Sequence, residues 1–151
     1  MSVLWAWHAP GPYQAALGDP WLHALEHASF LATAVLFWWA ALADGAHRVL
    51  ARGADVLFVL AGWMQSGALG ALFTFASAPI YPSYVASAHL SVSAALHDQQ
   101  VAGLVMWIPA GLVYLVAATL LAARWLGSLE RDLSRTDAAP EVQPARTASR
   151  T

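Results

Sequence analysis

The sequence has no cysteine and no lysine, and charged residues make up only 11% of its 151 residues. Without cysteine there are no disulfide bonds, thiolate metal sites or cysteine nucleophiles. The seven basic residues are all arginines, scattered over one loop and the C-terminal part, so no basic patch indicates a nucleic acid partner. The N-terminus lacks the basic segment and cleavage site of a signal peptide, so we expect the apolar segments to remain in the mature protein.

Long apolar segments dominate what is present. Apolar residues make up 59% of the sequence, and eight residues are tryptophan, a composition typical of membrane proteins. Segments 21–43, 56–78 and 99–126 are each long enough to cross a hydrocarbon core of roughly 30 Å. In the second segment, Gly62, Ser66 and Gly70 recur at four-residue spacing, which lets a neighbouring helix approach closely. We therefore predict an all-α integral membrane bundle of three transmembrane helices in the lipid bilayer.

The segments that flank this membrane domain, residues 21–126, differ from it in composition. Residues 1–20 are aromatic and interrupted by prolines, which predicts an interfacial segment at the membrane surface. Residues 127–151 are rich in Ser, Thr, Arg, Ala and Pro, which predicts a disordered cytoplasmic tail. Asp98 is a candidate N-cap for the third transmembrane helix.

The placement of arginine predicts the orientation in the cell (plasma) membrane. The positive-inside rule puts the loop with Arg48 and Arg52 in the cytoplasm, together with the C-terminal tail. The N-terminus and the loop 79–98 are then outside. Five of the six histidines consequently lie at the outer face, and only His47 lies inside.

The strongest candidate site combines His23, Glu26 and His27. Residues four apart share one face of a helix, so the two imidazoles can chelate one metal ion. We predict that His23 and His27 are metal ligands and that Glu26 orients an imidazole. His97 and Asp98, at the mouth of the third span on the same side of the membrane, are predicted to close the site.

The same residues leave other interpretations open. His23-x-x-Glu26-His27 fits the inverted pattern of zinc proteases, which makes a membrane metalloprotease the alternative function. Such a site needs a third protein ligand, for which only Asp98 is available. Two histidines from facing helices could also ligate a b-type haem. Interfacial histidines could equally bind lipid headgroups in a structural membrane subunit without metal.

Three sequence elements together resemble a known family. Their residues are Trp7-His8-x-Pro10 with Tyr13, then His23-x-x-Glu26-His27-x-x-Phe30 with Phe37-Trp38-Trp39, and finally Tyr81-x-x-Tyr84 with Asp98-Gln99-Gln100-x-x-Gly103-x-x-Met106-Trp107. Their order and spacing over residues 3–126 resemble the CtaG-type cytochrome c oxidase assembly factors, which are bacterial integral membrane proteins linked to copper delivery.

This resemblance implies a function and partners. It implies an assembly factor for a haem–copper cytochrome c oxidase that holds or delivers copper at the outer membrane face and is not an enzyme. The implied protein partners are the subunits of the oxidase. Members of that family typically have more than three spans, so we also expect a missing N-terminal half or a second copy of the chain to complete the bundle.

Overall fold

The computed structural model describes residues 2–87, 89 and 91–137. These residues form α1 (Ser2–Trp7), α2 (Pro10–Gly18), α3 (Pro20–Leu42), α4 (Ala54–Thr74), α5 (Pro82–Ser87) and α6 (Val92–Asp137), with a short 3-10 helix at Gly45–His47. No strand occurs in this part of the chain, and α3, α4 and α6 are long and apolar enough to cross a membrane. The prediction of an all-α membrane bundle with three spans is confirmed.

Side-chain caps determine where two of the long helices begin. The Asp19 carboxylate accepts hydrogen bonds from the backbone N–H groups of Trp21 at 2.7 Å and Leu22 at 3.4 Å, which caps α3. Ser91 caps α6, since its hydroxyl oxygen accepts a hydrogen bond of 3.2 Å from the backbone N–H of Ala94. Asp98 therefore lies in the second turn of α6, and the prediction that it caps the helix is wrong.

The helix that contains the third predicted span, residues 99–126, extends beyond that span in both directions. With 46 residues, α6 is about 69 Å long, more than twice the thickness of the hydrocarbon core of roughly 30 Å. Residues 127–137, predicted to be disordered, continue the helix, because the leucine, glutamate and arginine residues that follow Gly127 are good helix formers. The rest of the predicted tail, residues 138–151, lies outside the described residues.

Glycines bring α4 and α6 into direct backbone contact. A Cβ atom on Gly70 would lie 2.6 Å from the Cβ atom of Trp107. A Cβ atom on Gly103 would lie 2.8 Å from both the carbonyl oxygen of Gly70 and the backbone nitrogen of Thr74. Membrane helices associate through such close packing because lipid supplies no hydrophobic driving force between them. Gly70, from the predicted stripe of small residues, therefore does provide the close approach of a neighbouring helix.

Two glutamines of α6 hold the connection that follows α4. The Gln99 side chain accepts a hydrogen bond of 2.7 Å from the backbone N–H of Ile80 and donates one of 3.4 Å to the carbonyl oxygen of Phe73. The Gln100 side chain donates a 3.1 Å hydrogen bond to the carbonyl oxygen of Ala76. These bonds fix the connection between α4 and α5 against the first turns of α6.

Two buried clusters occupy different levels of the bundle. The first consists of Ala41, Val59, Ala118 and Leu121, and it joins α3, α4 and α6. The second consists of Leu69, Phe73 and Tyr81, against which Leu4 of α1 and Tyr13 of α2 are packed. The N-terminal helices therefore pack against the spans at the end of the bundle where α3 begins and α4 ends.

We expect Gly103→Ala to destabilise the bundle by about 1–3 kcal/mol, because the added methyl group would overlap backbone atoms of α4 that cannot move independently. The measurement is thermal unfolding of the purified chain in detergent. Gly67→Ala is the matched control, since a Cβ atom there meets no described residue outside its own stretch of helix within 4 Å, and alanine favours the helix by about 0.5–1 kcal/mol. Equal stability of the two variants would refute the close contact.

Candidate metal centre

The first two turns of α3 present three potential metal ligands. The ligand atoms of His23, Glu26 and His27 all lie within 4.8 Å of one another. The two imidazole rings are nearly perpendicular, at an interplanar angle of 80°, and their centroids are 4.5 Å apart. Both histidines are exposed and Glu26 is half-buried, so a metal ion has access to all three side chains.

A cavity of about 420 Å³ opens beside these three side chains. Its other walls are Tyr13, Ala16 and Leu17, all from α2. The capped turn at Asp19 reverses the chain between α2 and α3, which brings this face of α2 over the start of α3. An ion bound by the histidines would therefore be flanked by α2 on one side.

A second cavity of about 200 Å³ lies on the other side of Tyr13, which lines both. It is lined by His8, Tyr84, Asp98 and Met106, among others. The Asp98 carboxylate accepts a 3.0 Å hydrogen bond from the Tyr84 hydroxyl. Asp98 and Met106 thus belong to the neighbouring cavity and not to the group around His23.

The structure brings together three of the five predicted site residues, His23, Glu26 and His27. His97 is exposed on α6 and lines neither cavity, although Asp98 follows it directly. Consecutive residues of a helix point about 100° apart, so Asp98 can face Tyr84 while His97 points elsewhere. Within the described part of the chain, neither residue belongs to the group of ligand atoms at His23. Their participation in metal binding stays a prediction.

Tyr13, which lines both cavities, pairs with Tyr81, which lines the second one. The rings of Tyr13 and Tyr81 stack with centroids 3.8 Å apart, and the Tyr81 hydroxyl donates a 2.7 Å hydrogen bond to the carbonyl oxygen of His8. Burial, together with the nearby Tyr13 and Glu26, raises the pKa of Tyr81. Burial also raises the pKa of Tyr13, and the nearby Tyr84, Glu26 and Asp98 raise it further. Both phenols are consequently neutral, although the carboxylates of Glu26 and Asp98 lie nearby.

The sequence did not assign these tyrosines a role. Tyr13, Tyr81 and Tyr84 belong to the family-like motifs, and nothing in their spacing predicts that they meet. Tyr13 and Tyr81 lie far apart along the chain, and their stacking depends on how α2 docks on the end of α4. The sequence feature that could have indicated this contact is the presence of aromatic residues in both the N-terminal segment and the loop 79–98.

Hydrogen bonds hold α1 against the helix that carries the histidines. The indole N–H of Trp7 donates a 2.8 Å hydrogen bond to the Ser29 hydroxyl. That hydroxyl donates in turn to the carbonyl oxygen of Glu26 at 2.7 Å. The N-terminal segment is therefore linked directly to the turn of α3 on which Glu26 and His27 are placed.

His8 has a defined tautomer at the edge of the second cavity. Its Nδ1 atom lies 2.7 Å from the carbonyl oxygen of Leu4, which only accepts, so Nδ1 carries the hydrogen. The Nε2 atom is then unprotonated in the neutral ring. The ring packs against Phe30 and Phe73, with centroids 6.0 Å and 5.7 Å away.

Comparison with known families supplies an independent observation. The model of a family described as cytochrome c oxidase caa3 assembly factor (Caa3_CtaG) matches residues 1–128. No curated protein and no solved structure matches the chain significantly. The matched range contains α1 to α5, the apolar part of α6, and all five predicted site residues.

We expect Asp98→Asn to lower the pKa of Tyr84. The hydrogen bond to the carboxylate, followed by its negative charge, raises the pKa of this phenol, because both disfavour the phenolate. Removing the charge therefore makes Tyr84 ionise at a lower pH. The measurement is phenolate absorbance during an alkaline titration in detergent, with Tyr84→Phe identifying the Tyr84 component. Asp132→Asn, an exposed change further along α6, is the control, and identical curves for both variants would contradict the contact.

Proposed function

Because the chain belongs to the family of cytochrome c oxidase caa3 assembly factors, we propose that it holds a copper ion and delivers it to an oxidase subunit. Membership of the family supports a role in oxidase assembly, and we propose that this role is not catalytic. The observation that carries the copper proposal is the group His23, Glu26 and His27, whose ligand atoms lie within 4.8 Å of one another. Copper is here the cargo of the protein and not a resident cofactor.

The donor set suits copper. Imidazole nitrogen and carboxylate oxygen are suitable ligands for Cu(II), and a helix presents the i and i+4 imidazoles on one face. His23 and His27 are the proposed ligands, and Glu26 orients an imidazole and adds negative charge. Both histidines are exposed, which supports delivery, because an acceptor protein can reach an ion held by few ligands at an open site.

His97 and Asp98 are proposed to close the site. Asp98 lines the neighbouring cavity, which shares Tyr13 with the cavity beside the histidines. With Tyr13 in its present position, Asp98 contributes negative charge that attracts a cation to this end of the bundle. Met106, in the same cavity as Asp98, offers a thioether, which is a soft ligand suited to Cu(I).

A membrane metalloprotease is less well supported by the same residues. The pattern of two histidines and a glutamate is present on a helix, as that function requires. The group has no further histidine, cysteine or carboxylate within the described residues that could serve as the third protein ligand. Holding an ion for delivery needs fewer protein ligands than proteolysis does, and it needs an accessible site. The group His23, Glu26 and His27 meets both conditions.

The end of the bundle with the histidines is proposed to face outward, with the N-terminus outside and the C-terminus in the cytoplasm. Arg48, Arg52, Arg124 and Arg131 line one cavity near the junction of α3 and α4, so the arginines of the loop and of α6 share one end. The positive-inside rule assigns that end to the cytoplasm.

A reporter that is active only in the cytoplasm, fused after Thr151, is expected to be active. The reason is that the fusion point follows the end of the bundle that carries the arginines. The control is the same reporter inserted near residue 79 in the connection between α4 and α5, where it is expected to be inactive. The reverse pattern would place the histidines in the cytoplasm and contradict the proposed orientation.

We expect His23→Ala and His27→Ala each to remove most of the bound copper, because losing either imidazole breaks the chelate. Glu26→Gln is expected to weaken copper binding by roughly 10- to 100-fold, the range for groups that orient a metal-bound histidine. Occupancy should also fall as the pH is lowered, since only neutral imidazoles bind a metal ion. The measurement is copper per chain after equilibrium dialysis of the purified protein in detergent.

His47→Ala is the matched control, because His47 is exposed and lies in the short helix between α3 and α4, at the other end of the bundle. It should bind as much copper as the wild type. Met106→Leu should alter the binding of Cu(I) only. Equal copper in all variants would show that the site is assigned wrongly, and no copper in the wild type would favour a structural subunit without metal.

A further inference from the structure

The end of the bundle opposite the histidines contains a cavity of about 300 Å³ that is rich in arginine. Its charged walls are four arginines and two aspartates, which leave a net charge of +2: Asp44, Arg48, Arg52, Asp55, Arg124 and Arg131. The connection between α3 and α4 supplies the first three, α4 supplies Asp55, and α6 supplies the others. The cavity therefore lies where all three spans meet.

Both aspartates already have cationic partners. Asp55 is buried, forms an ion pair with Arg48, and accepts hydrogen bonds of 3.0 Å from the backbone N–H groups of Gly53 and Val56. Asp44 forms an ion pair with Arg124. No ion pair among the described residues includes Arg52 or Arg131, so these two arginines account for the unbalanced positive charge of the cavity.

The frame of the cavity is fixed by close packing. Gly53 has a φ of +86°, and a Cβ atom on it would lie 2.9 Å from the ring of Trp125. A side chain at this position is therefore excluded both by the backbone conformation and by the indole ring. Together with the buried Asp55, this contact holds the connection between α3 and α4 against α6, so the arginines are presented on a preformed surface.

An apolar groove continues directly from the cavity. The groove is bounded by α3 and α6, has a volume of about 950 Å³, and shares Leu121, Ala123 and Arg124 with the arginine cavity. Its remaining lining is almost entirely aliphatic, and Leu112, Val116 and Leu120 are among its exposed side chains. A polar, cationic cavity and an apolar groove thus form one continuous surface.

The position along α6 places this surface at the edge of a membrane. Residues 99–123 of α6 carry no formal charge and extend for about 37 Å, enough to cross the hydrocarbon core. The groove lies along the last part of this segment, and Arg124 and Arg131 follow it. The groove therefore lies at the depth of acyl chains, and the arginines lie at the level of headgroups.

We propose that this continuous surface binds one anionic phospholipid, with its phosphate at Arg52 and Arg131 and one acyl chain in the groove. Guanidinium groups form charge-assisted, often bidentate hydrogen bonds with phosphate. Basic pockets between transmembrane helices are suited to anionic headgroups. The bound lipid would bridge α3 and α6 at the end remote from the histidines, and the proposal does not depend on copper.

The experiment measures lipid binding to the full chain, purified and stripped of lipid in detergent, by native mass spectrometry. The probes are phosphatidylglycerol, phosphatidylcholine with the same acyl chains, and inorganic phosphate. We expect a phosphatidylglycerol complex that Arg52→Gln and Arg131→Gln each weaken by about five- to tenfold. Arg135→Gln is the matched control, since it removes the same charge from an exposed position of α6 beyond the cavity and should leave binding unchanged.

A second variant tests the groove separately. Val116→Phe is expected to weaken phosphatidylglycerol binding and to leave any binding of inorganic phosphate unchanged, because Val116 lines the groove and not the arginine cavity. Val116 is exposed, so the larger ring should not disturb the fold, which thermal unfolding would verify.

Three results would overturn the proposal. Equal affinity for phosphatidylglycerol and phosphatidylcholine would show that the arginines do not select an anionic headgroup. Phosphate binding as tight as lipid binding, unaffected by Val116→Phe, would assign the cavity to a free anion. A dimer in detergent that excludes added lipid would assign the groove to a second copy of the chain.

Discussion

The backbone contact between α4 and α6 at Gly70 and Gly103 is the constraint on which the histidine end of the bundle depends. This contact sets the height of α6 beside α4, so that Gln99 and Gln100 reach the carbonyl groups at the end of α4. These hydrogen bonds hold the connection that carries Tyr81. Tyr81 stacks on Tyr13, and Tyr13 is a wall of the cavity beside the histidines. The position of this wall thus follows from the packing of two helices that carry none of the three grouped residues His23, Glu26 and His27.

The two ends of the bundle differ in their electrostatic character. One end combines histidines, two carboxylates and neutral phenols, which suits a cation. The other has an excess of arginine and suits an anion. The chemistry of each end matches the environment proposed for it, a copper ion outside the membrane and an anionic headgroup on the cytoplasmic side. α3 connects the two ends, with His23 in its first turns and Asp44 just beyond its C-terminus.

Local features were predictable from the sequence, and features that require tertiary contacts were not. His23 and His27 could be paired because helical spacing alone puts them on one face, and Gly70 could be identified because small residues mark close helix packing. The predicted start of α6 was wrong because Ser91 caps the helix before Asp98 can. The role of Tyr13 was missed because it depends on where α2 docks. Asp98 was expected beside the histidines, but Tyr13 stands between them.

The most direct test of the proposed function is to count the imidazoles bound to copper. Pulsed electron paramagnetic resonance of the Cu(II)-loaded chain detects the remote nitrogen of each coordinated histidine. Binding by the chelating pair on α3 predicts two such imidazoles in the wild type and one in whatever copper His27→Ala retains, with His47→Ala unchanged. A spectrum without imidazole coupling, or one that His27→Ala leaves unaltered, would contradict the assignment of the copper site to His23 and His27.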